Sequence, residues 1–123
     1  PYATVIGIFL GQRQKGSPMT IVPDGTRRRD FTHVTDVARA NLLAMESDKV
    51  GKGEIINVGS SKNYSILEVA DLIGGPRVFI EPRQGEVQET LADNRRAREL
   101  IGWGPEIEFE DGIVELKKMH NLV

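Results

Sequence analysis

Asp24-Gly-Thr-Arg-Arg-Arg-Asp-Phe-Thr-His-Val-Thr-Asp-Val-Ala-Arg-Ala40 is the stretch around which the chain can be organised. Pro23-Asp24-Gly25 reads as a turn that closes the short apolar run Met19–Val22. The far end opens a helix, with Thr35 as N-cap and Asp36 in the first turn, where a negative charge suits the helix dipole. Between turn and helix stand Arg27, Arg28, Arg29 and Asp30, followed at once by Phe31 and Val34, residues that favour burial. Guanidinium groups held beside such anchors suit a phosphate or carboxylate, which the planar fork grips through paired hydrogen bonds. Taken alone, the same residues also describe a solvated basic turn.

Outward from this stretch the chain alternates helices with short apolar runs. Tyr2–Lys15 reads as a helix with Tyr2, Val5, Ile6, Phe9 and Leu10 on one face and Gly16 as its stop. Gly7 and Gly11, four apart, weaken it but would admit another backbone at close range. Met19–Val22 is a short strand, and the helix Asp36–Ser47 is expected to bury Val37, Ala38, Leu42 and Met45. Glu54–Val58 reads as a buried strand ended by Gly59. Ser65 and Glu68 form a capping box for a helix that carries Ile66, Val69, Ala70 and Ile73 on one face. Arg77–Ile80 is a further strand, and Glu81–Glu89, with Pro82 and Gly85, is a loop. Asp93 can cap a helix Asn94–Ile101, and Glu110 or Asp111 opens the last one. The fold class is thus mixed α/β, a single domain over 1–123 with about five helices and short strands. Residues 54–80 are expected to form one parallel strand–helix–strand unit with a right-handed crossover.

Composition excludes several classes. With 39% hydrophobic and 28% charged residues the chain is a globular one, long enough for a modest core. A net charge of −2 argues against a dedicated nucleic-acid binder. That weakens the reading of Arg27–Arg29 as an RNA contact. No cysteine is present, so disulfides and thiolate metal sites are excluded, and a cytoplasmic location fits. His33 and His120 lie too far apart to suggest a metal site. No apolar run approaches the roughly 20 residues that span a membrane.

A second constellation lies in the other half: Arg83-Gln-Gly-Glu86, then Leu91-Ala-Asp93, then Leu100-Ile-Gly-Trp-Gly-Pro105. On residue chemistry alone Arg83 and Glu86 are an ordinary loop ion pair. The two stretches together, however, resemble D-G-x-x-x-R-D-F-x-x-V-x-D-V-A-x-A and R-x-G-D/E of the extended short-chain dehydrogenase/reductases, the NAD-dependent epimerase/dehydratase family. The resemblance, closest to UDP-glucose 4-epimerases, covers nearly the whole chain but only the C-terminal, substrate-binding part of that family. It implies that Arg29 and Arg83 reach the diphosphate of a nucleotide-diphospho-sugar and that Glu86, where many relatives have Asp, accepts from the ribose hydroxyls. It further implies that the backbone at Thr20 and Val22 meets the base edge of a UDP- or dTDP-sugar, with Val22 as an apolar wall.

Two parts of such an enzyme are missing from this sequence. None of the thirteen glycines forms G-x-x-G-x-x-G, and neither Tyr2 nor Tyr64 is followed by a lysine four residues on. The Rossmann part and the Tyr-x-x-x-Lys pair are therefore absent, no catalytic residue is assigned, and the chain alone is expected to bind no NAD and to turn nothing over. The alternative is a stand-alone module that docks on a partner or self-associates through the face left by the missing domain. Helix Tyr2–Lys15 and the strands at 54–58 and 77–80 are the expected parts of that face.

Overall fold

The computed structural model describes residues 4–123. It holds five helices, α1 (Val5–Gln14), α2 (Val34–Glu46), α3 (Ile66–Ile73), α4 (Arg95–Ile101) and α5 (Phe109–Met119). Four short strands accompany them, β1 (Met19–Ile21), β2 (Arg28–Arg29), β3 (Tyr64–Ser65) and β4 (Arg77–Phe79). The mixed α/β class with five helices is the expected one. Tyr2, expected on the first helix, lies outside the described residues. Gly7 and Gly11 leave room for a Cβ, so among the described residues no close backbone approach explains them.

The parallel pair is present, but its members differ from the expected ones. β4 runs parallel to β1, Met19 opposite Arg77 and Ile21 opposite Phe79, and the ladder is extended by Ile80 N–H donating to the Ile21 carbonyl at 2.9 Å. Glu54–Val58 forms no strand. It is extended, with Ile56 and Val58 half-buried against Ala40, Leu43 and Ala97 and with Ile55 78% exposed. Its alternation therefore sets which side chains face inward, but among the described residues no strand lies beside it.

Two apolar clusters hold the elements. Phe9 and Leu10 of α1 meet Met19 and Ile21 of β1, Val69, Ala70 and Ile73 of α3, and Ile113 of α5. The second cluster joins Ala40 of α2 to Ala97 and Ile101 of α4 and to Trp103. α3 carries the expected capping box, with Glu68 N–H donating to Ser65 Oγ at 3.1 Å and Ser65 N–H to Glu68 Oε2 at 2.6 Å. Asp93 Oδ1 accepts Arg95 N–H at the start of α4, and Gly102, at φ 65°, ends it.

α2 departs from expectation in cap and in facing. Its cap is His33, not Thr35: the Nδ1 of His33 accepts Thr35 N–H. Val37, Ala38, Leu42 and Met45 are exposed, and the inward stripe is Asp36, Ala40, Leu43 and Ala44. The cause is polar. The Asp36 carboxylate, in a residue only 2% exposed, accepts the N–H groups of Glu106 and Ile107 and the Arg39 guanidinium, while Trp103 Nε1 donates to its carbonyl at 2.8 Å. A buried carboxylate without those donors would cost several kcal/mol, so Asp36 fixes the rotation of the helix and the apolar residues follow.

Gly25 is the turn residue that cannot be replaced. Its φ is 85°, and a Cβ there would stand 2.7 Å from Leu67 Cγ. Gly25→Ala is expected to cost about 2–4 kcal/mol, strain plus overlap, read as a lower urea midpoint. Asp36 gives a second expectation. Burial pushes its carboxyl up, but the Ile107 N–H, the Arg39 guanidinium and the Glu106 N–H outweigh this and hold it below the ordinary 3.8. A carboxyl so depressed adds stability that is complete above its unfolded value and is lost as pH falls through the folded one. Asp36→Asn should be less stable at neutral pH by about 1.5–3 kcal/mol and should lose part of the acid-side slope below about pH 4, measured by urea unfolding at several pH values.

Candidate functional site

β2 sorts the three arginines. Arg28 and Arg29, the two residues of β2, point to opposite sides, and Arg27, just before the strand, lines the same cavity as Arg29. Arg28 is consumed by structure: its Nε and Nη2 donate to Asn63 at 2.8 Å each, and its Nη1 stands 3.2 Å from Glu68. Its backbone also receives the end of the 81–89 loop, with Arg28 N–H donating to Gln88 O at 2.8 Å and Thr90 N–H to Arg28 O at 3.1 Å. Arg27 and Arg29 instead line a cavity of about 410 Å³, a size suited to a small organic ligand.

All five residues singled out in the sequence, Thr20, Val22, Arg29, Arg83 and Glu86, line that same cavity. Ile66 of α3 and four further segments build it. α1 gives an apolar wall of Val5, Ile8 and Phe9, β1 and its continuation give Thr20 and Val22, the arginine turn gives two cations, and the chain after β4 gives Ile80, Arg83 and Glu86. The cavity thus has an apolar side and a charged side.

Arg29 is half-buried, and one Nη donates to the Arg28 carbonyl at 2.8 Å. Among the described residues no carboxylate lies within ion-pair distance of it. Glu86 bridges the other two cations: Oε2 is 3.3 Å from Arg27 Nη1 and Oε1 is 3.7 Å from Arg83 Nη1. Arg27 also donates to the Arg83 carbonyl at 3.3 Å. Thr20 is engaged from behind, its N–H donating to Gln12 Oε1 and its hydroxyl accepting from Gln12 Nε2. Its N–H is therefore taken, and the Gln12 amide occupies the strand edge that the base was expected to use.

Asp30 lines the cavity but spends its carboxylate on the frame. Oδ1 accepts both the N–H and the hydroxyl of Ser60 at 2.7 Å, Oδ2 accepts Ala92 N–H at 3.0 Å, and Asp30 N–H donates to Thr90 Oγ1. Glycine at 59 permits this, because a Cβ there would stand 2.7 Å from Asp30 Oδ2. The formal balance of the cavity is three guanidinium groups against the carboxylates of Glu86 and Asp30, and of these two acids only Glu86 is paired with the cations. Arg27 was not foreseen as a member.

The other candidate groups lie elsewhere. His33 faces Glu115, at 3.2 Å, and lines a small separate pocket. Trp103 is wholly buried in the second cluster and serves as core. Tyr64 stacks on Phe109, and its hydroxyl is pushed up to about 12 by burial, then by its bond to Glu110 and the nearby carboxylates. Among the described residues no group of three or more acidic or histidine side chains could hold a metal ion, and no helix is long and apolar enough to cross a membrane.

Comparison with known proteins gives a consistent result. Residues 2–59 match the model of the NAD dependent epimerase/dehydratase family. A provisionally named UDP-glucose 4-epimerase of Methanocaldococcus jannaschii is 39% identical over 117 residues, 90% of this chain and 37% of that protein. The UDP-glucose 4-epimerase of Thermotoga maritima, solved with UDP-glucose, superposes with a TM-score of 0.84 at 32% identity, covering 97% of this chain and 41% of that one. The UDP-glucuronic acid 4-epimerase of Bacillus cereus, solved with UDP-glucuronic acid and NAD, gives 0.88 at 29% identity, with 96% and 40% covered. The chain thus spans about two fifths of the length of these relatives. On these matches, and on the motifs that run through its arginine turn and its 81–89 loop, the chain belongs to the NAD-dependent epimerase/dehydratase family.

Proposed function

We propose that this chain is the C-terminal, substrate-binding part of a nucleotide-diphospho-sugar epimerase or dehydratase, and that its cavity grips the nucleoside diphosphate of a UDP- or dTDP-sugar. In this reading Arg29 and Arg83 hold the diphosphate, Glu86 accepts from the ribose hydroxyls, and Thr20 and Val22 flank the base once the Gln12 amide yields. The observation that carries it is the convergence of Arg29, Arg83 and Glu86, from two separated loops, on one cavity whose opposite wall is apolar. Nothing in packing requires two exposed or half-exposed cations to meet there. The relatives solved with UDP-glucose and UDP-glucuronic acid support the ligand class.

The residues present do not suit NAD. The sequence offers no Gly-rich phosphate turn and no Tyr-x-x-x-Lys pair, and Tyr64 holds its proton at neutral pH on the far side of Phe31 and Phe109. The contribution of this chain is therefore binding and orientation. It fixes the phosphates, and so places the sugar for chemistry that other residues of a full-length enzyme perform. Alone it is inactive.

Titration of UDP into the full-length protein by calorimetry tests the reading. Arg29→Gln and Arg83→Gln should each weaken UDP by about 1.5–3 kcal/mol, the worth of a hydrogen bond to a charged group, with the circular dichroism spectrum unchanged. Unaltered affinity in both variants would remove the diphosphate assignment.

A second reading, a module that associates without catalysis, is favoured by exposed apolar residues, among them those of α2, which lies outside the face expected from the sequence. Val34, Leu42 and Met45 of α2 are 73%, 58% and 82% exposed, and the unpaired segment 54–58 adds Ile55. Such a surface favours cover by protein. The 123-residue chain is expected to dimerise as its concentration rises in sedimentation velocity. A strict monomer at high concentration rejects self-association.

A further inference from the structure

We propose that Arg27 is the resident counter-charge of Glu86, and that by holding this carboxylate it allows an acidic residue to stand beside a bound diphosphate. The inference rests on the nucleotide-sugar reading given above and adds to it a residue that the family motif leaves as any amino acid.

The geometry begins with the loop. The segment between β4 and the arginine turn leaves the β1–β4 ladder at Ile80, whose N–H is held by Ile21 O, and returns at Gln88, whose carbonyl is held by Arg28 N–H. Between these two anchors it forms an arch that brings Arg83 and Glu86 to the cavity. Among the described residues, the contacts that tie the arch to the body of the domain are those of Arg27, one to the Arg83 carbonyl and one to the Glu86 carboxylate, at 3.3 Å each. Arg27 and Glu86 are partly shielded, their side chains 19% and 32% exposed, whereas Arg83 is 61% exposed.

The electrostatics follow from that asymmetry. Glu86 is shared by two guanidinium groups, closer to the shielded one than to the exposed one. When a diphosphate enters, Arg83 is free to turn to it, because its hold on Glu86 is long and solvent-screened. The carboxylate it leaves would then repel the ligand or draw Arg83 back. Arg27 prevents both outcomes by keeping the charge of Glu86 paired while the carboxylate still offers oxygens to a hydroxyl donor. Arg27 is thus a positioning residue: it acts on the ligand through Glu86 and through the backbone of Arg83.

The consequence is a reversal of sign that a merely structural arginine would not produce. UDP is titrated into the full-length protein, into Arg27→Met, into Glu86→Gln and into the double variant. Glu86→Gln is expected to weaken UDP several-fold in the native background. Arg27→Met is expected to weaken it about tenfold, as loss of a charge-assisted contact implies. In the Arg27→Met background, however, Glu86→Gln is expected to strengthen UDP binding, because the carboxylate it removes has become unpaired. If Arg27→Met unfolds, the same cycle is run with Arg27→Gln, and Arg27→Lys, which retains the charge, should recover most of the affinity. Weakening by Glu86→Gln in both backgrounds overturns the inference and leaves the diphosphate reading standing. Failure of the unsubstituted protein to bind UDP overturns both.

Discussion

The carboxylate of Asp30 is the joint on which the cavity depends. It follows Arg29 directly in the chain, so whatever fixes Asp30 fixes the root of that guanidinium. Its two oxygens collect donors from Ser60 and from Ala92, the ends of two segments that have no ladder between them. Loops alone would leave such a junction to solvent and entropy, at a cost of about 1–2 kcal/mol for each residue ordered. One anion that accepts from two chains replaces a strand's worth of pairing. The arginine turn, the exit of the 54–59 segment and the return of the 81–89 loop are thereby held at one point.

A second anion does the same for the other half. Asp36 receives the chain at 106–107 and, through its carbonyl, the indole of Trp103. The two acids stand six residues apart in one motif, one at each end of the turn into α2. The first places the cavity and the second places the helix. The same segment is therefore also a structural frame, and of its three arginines only Arg27 and Arg29, just before the first acid, face the cavity.

Legibility in the sequence followed the range of the interaction. The capping box of Ser65 and Glu68 and the stop at Gly102 are local, and each was visible because all its partners lie within a few residues. The facing of α2 was not, because the group that orients it is polar and its donors lie about seventy residues on. A pattern of apolar residues predicts burial only where no buried charge overrides it. Glu54–Val58 failed in another way: alternation gives the side of a strand but not its neighbour. That Arg83 and Glu86 share a cavity with Arg29 was expected from motif resemblance alone, since by spacing they form an ordinary ion pair. Arg27 was given no role because the motif leaves its position open.

The alternation at β2 also constrains what kind of change this segment can absorb. Substitution at Arg28 removes a tie to Asn63 and Glu68 but leaves its neighbours aimed as before. A single residue inserted or deleted between Gly25 and Asp30 would act on every position at once. Gly25 is pinned by Leu67 and Asp30 by Ser60 and Ala92, so the slip could not be taken up at either end. It would turn Arg28 into the cavity and its two neighbours out. In the history of such a chain, this turn should therefore vary in spelling while its length stays constant.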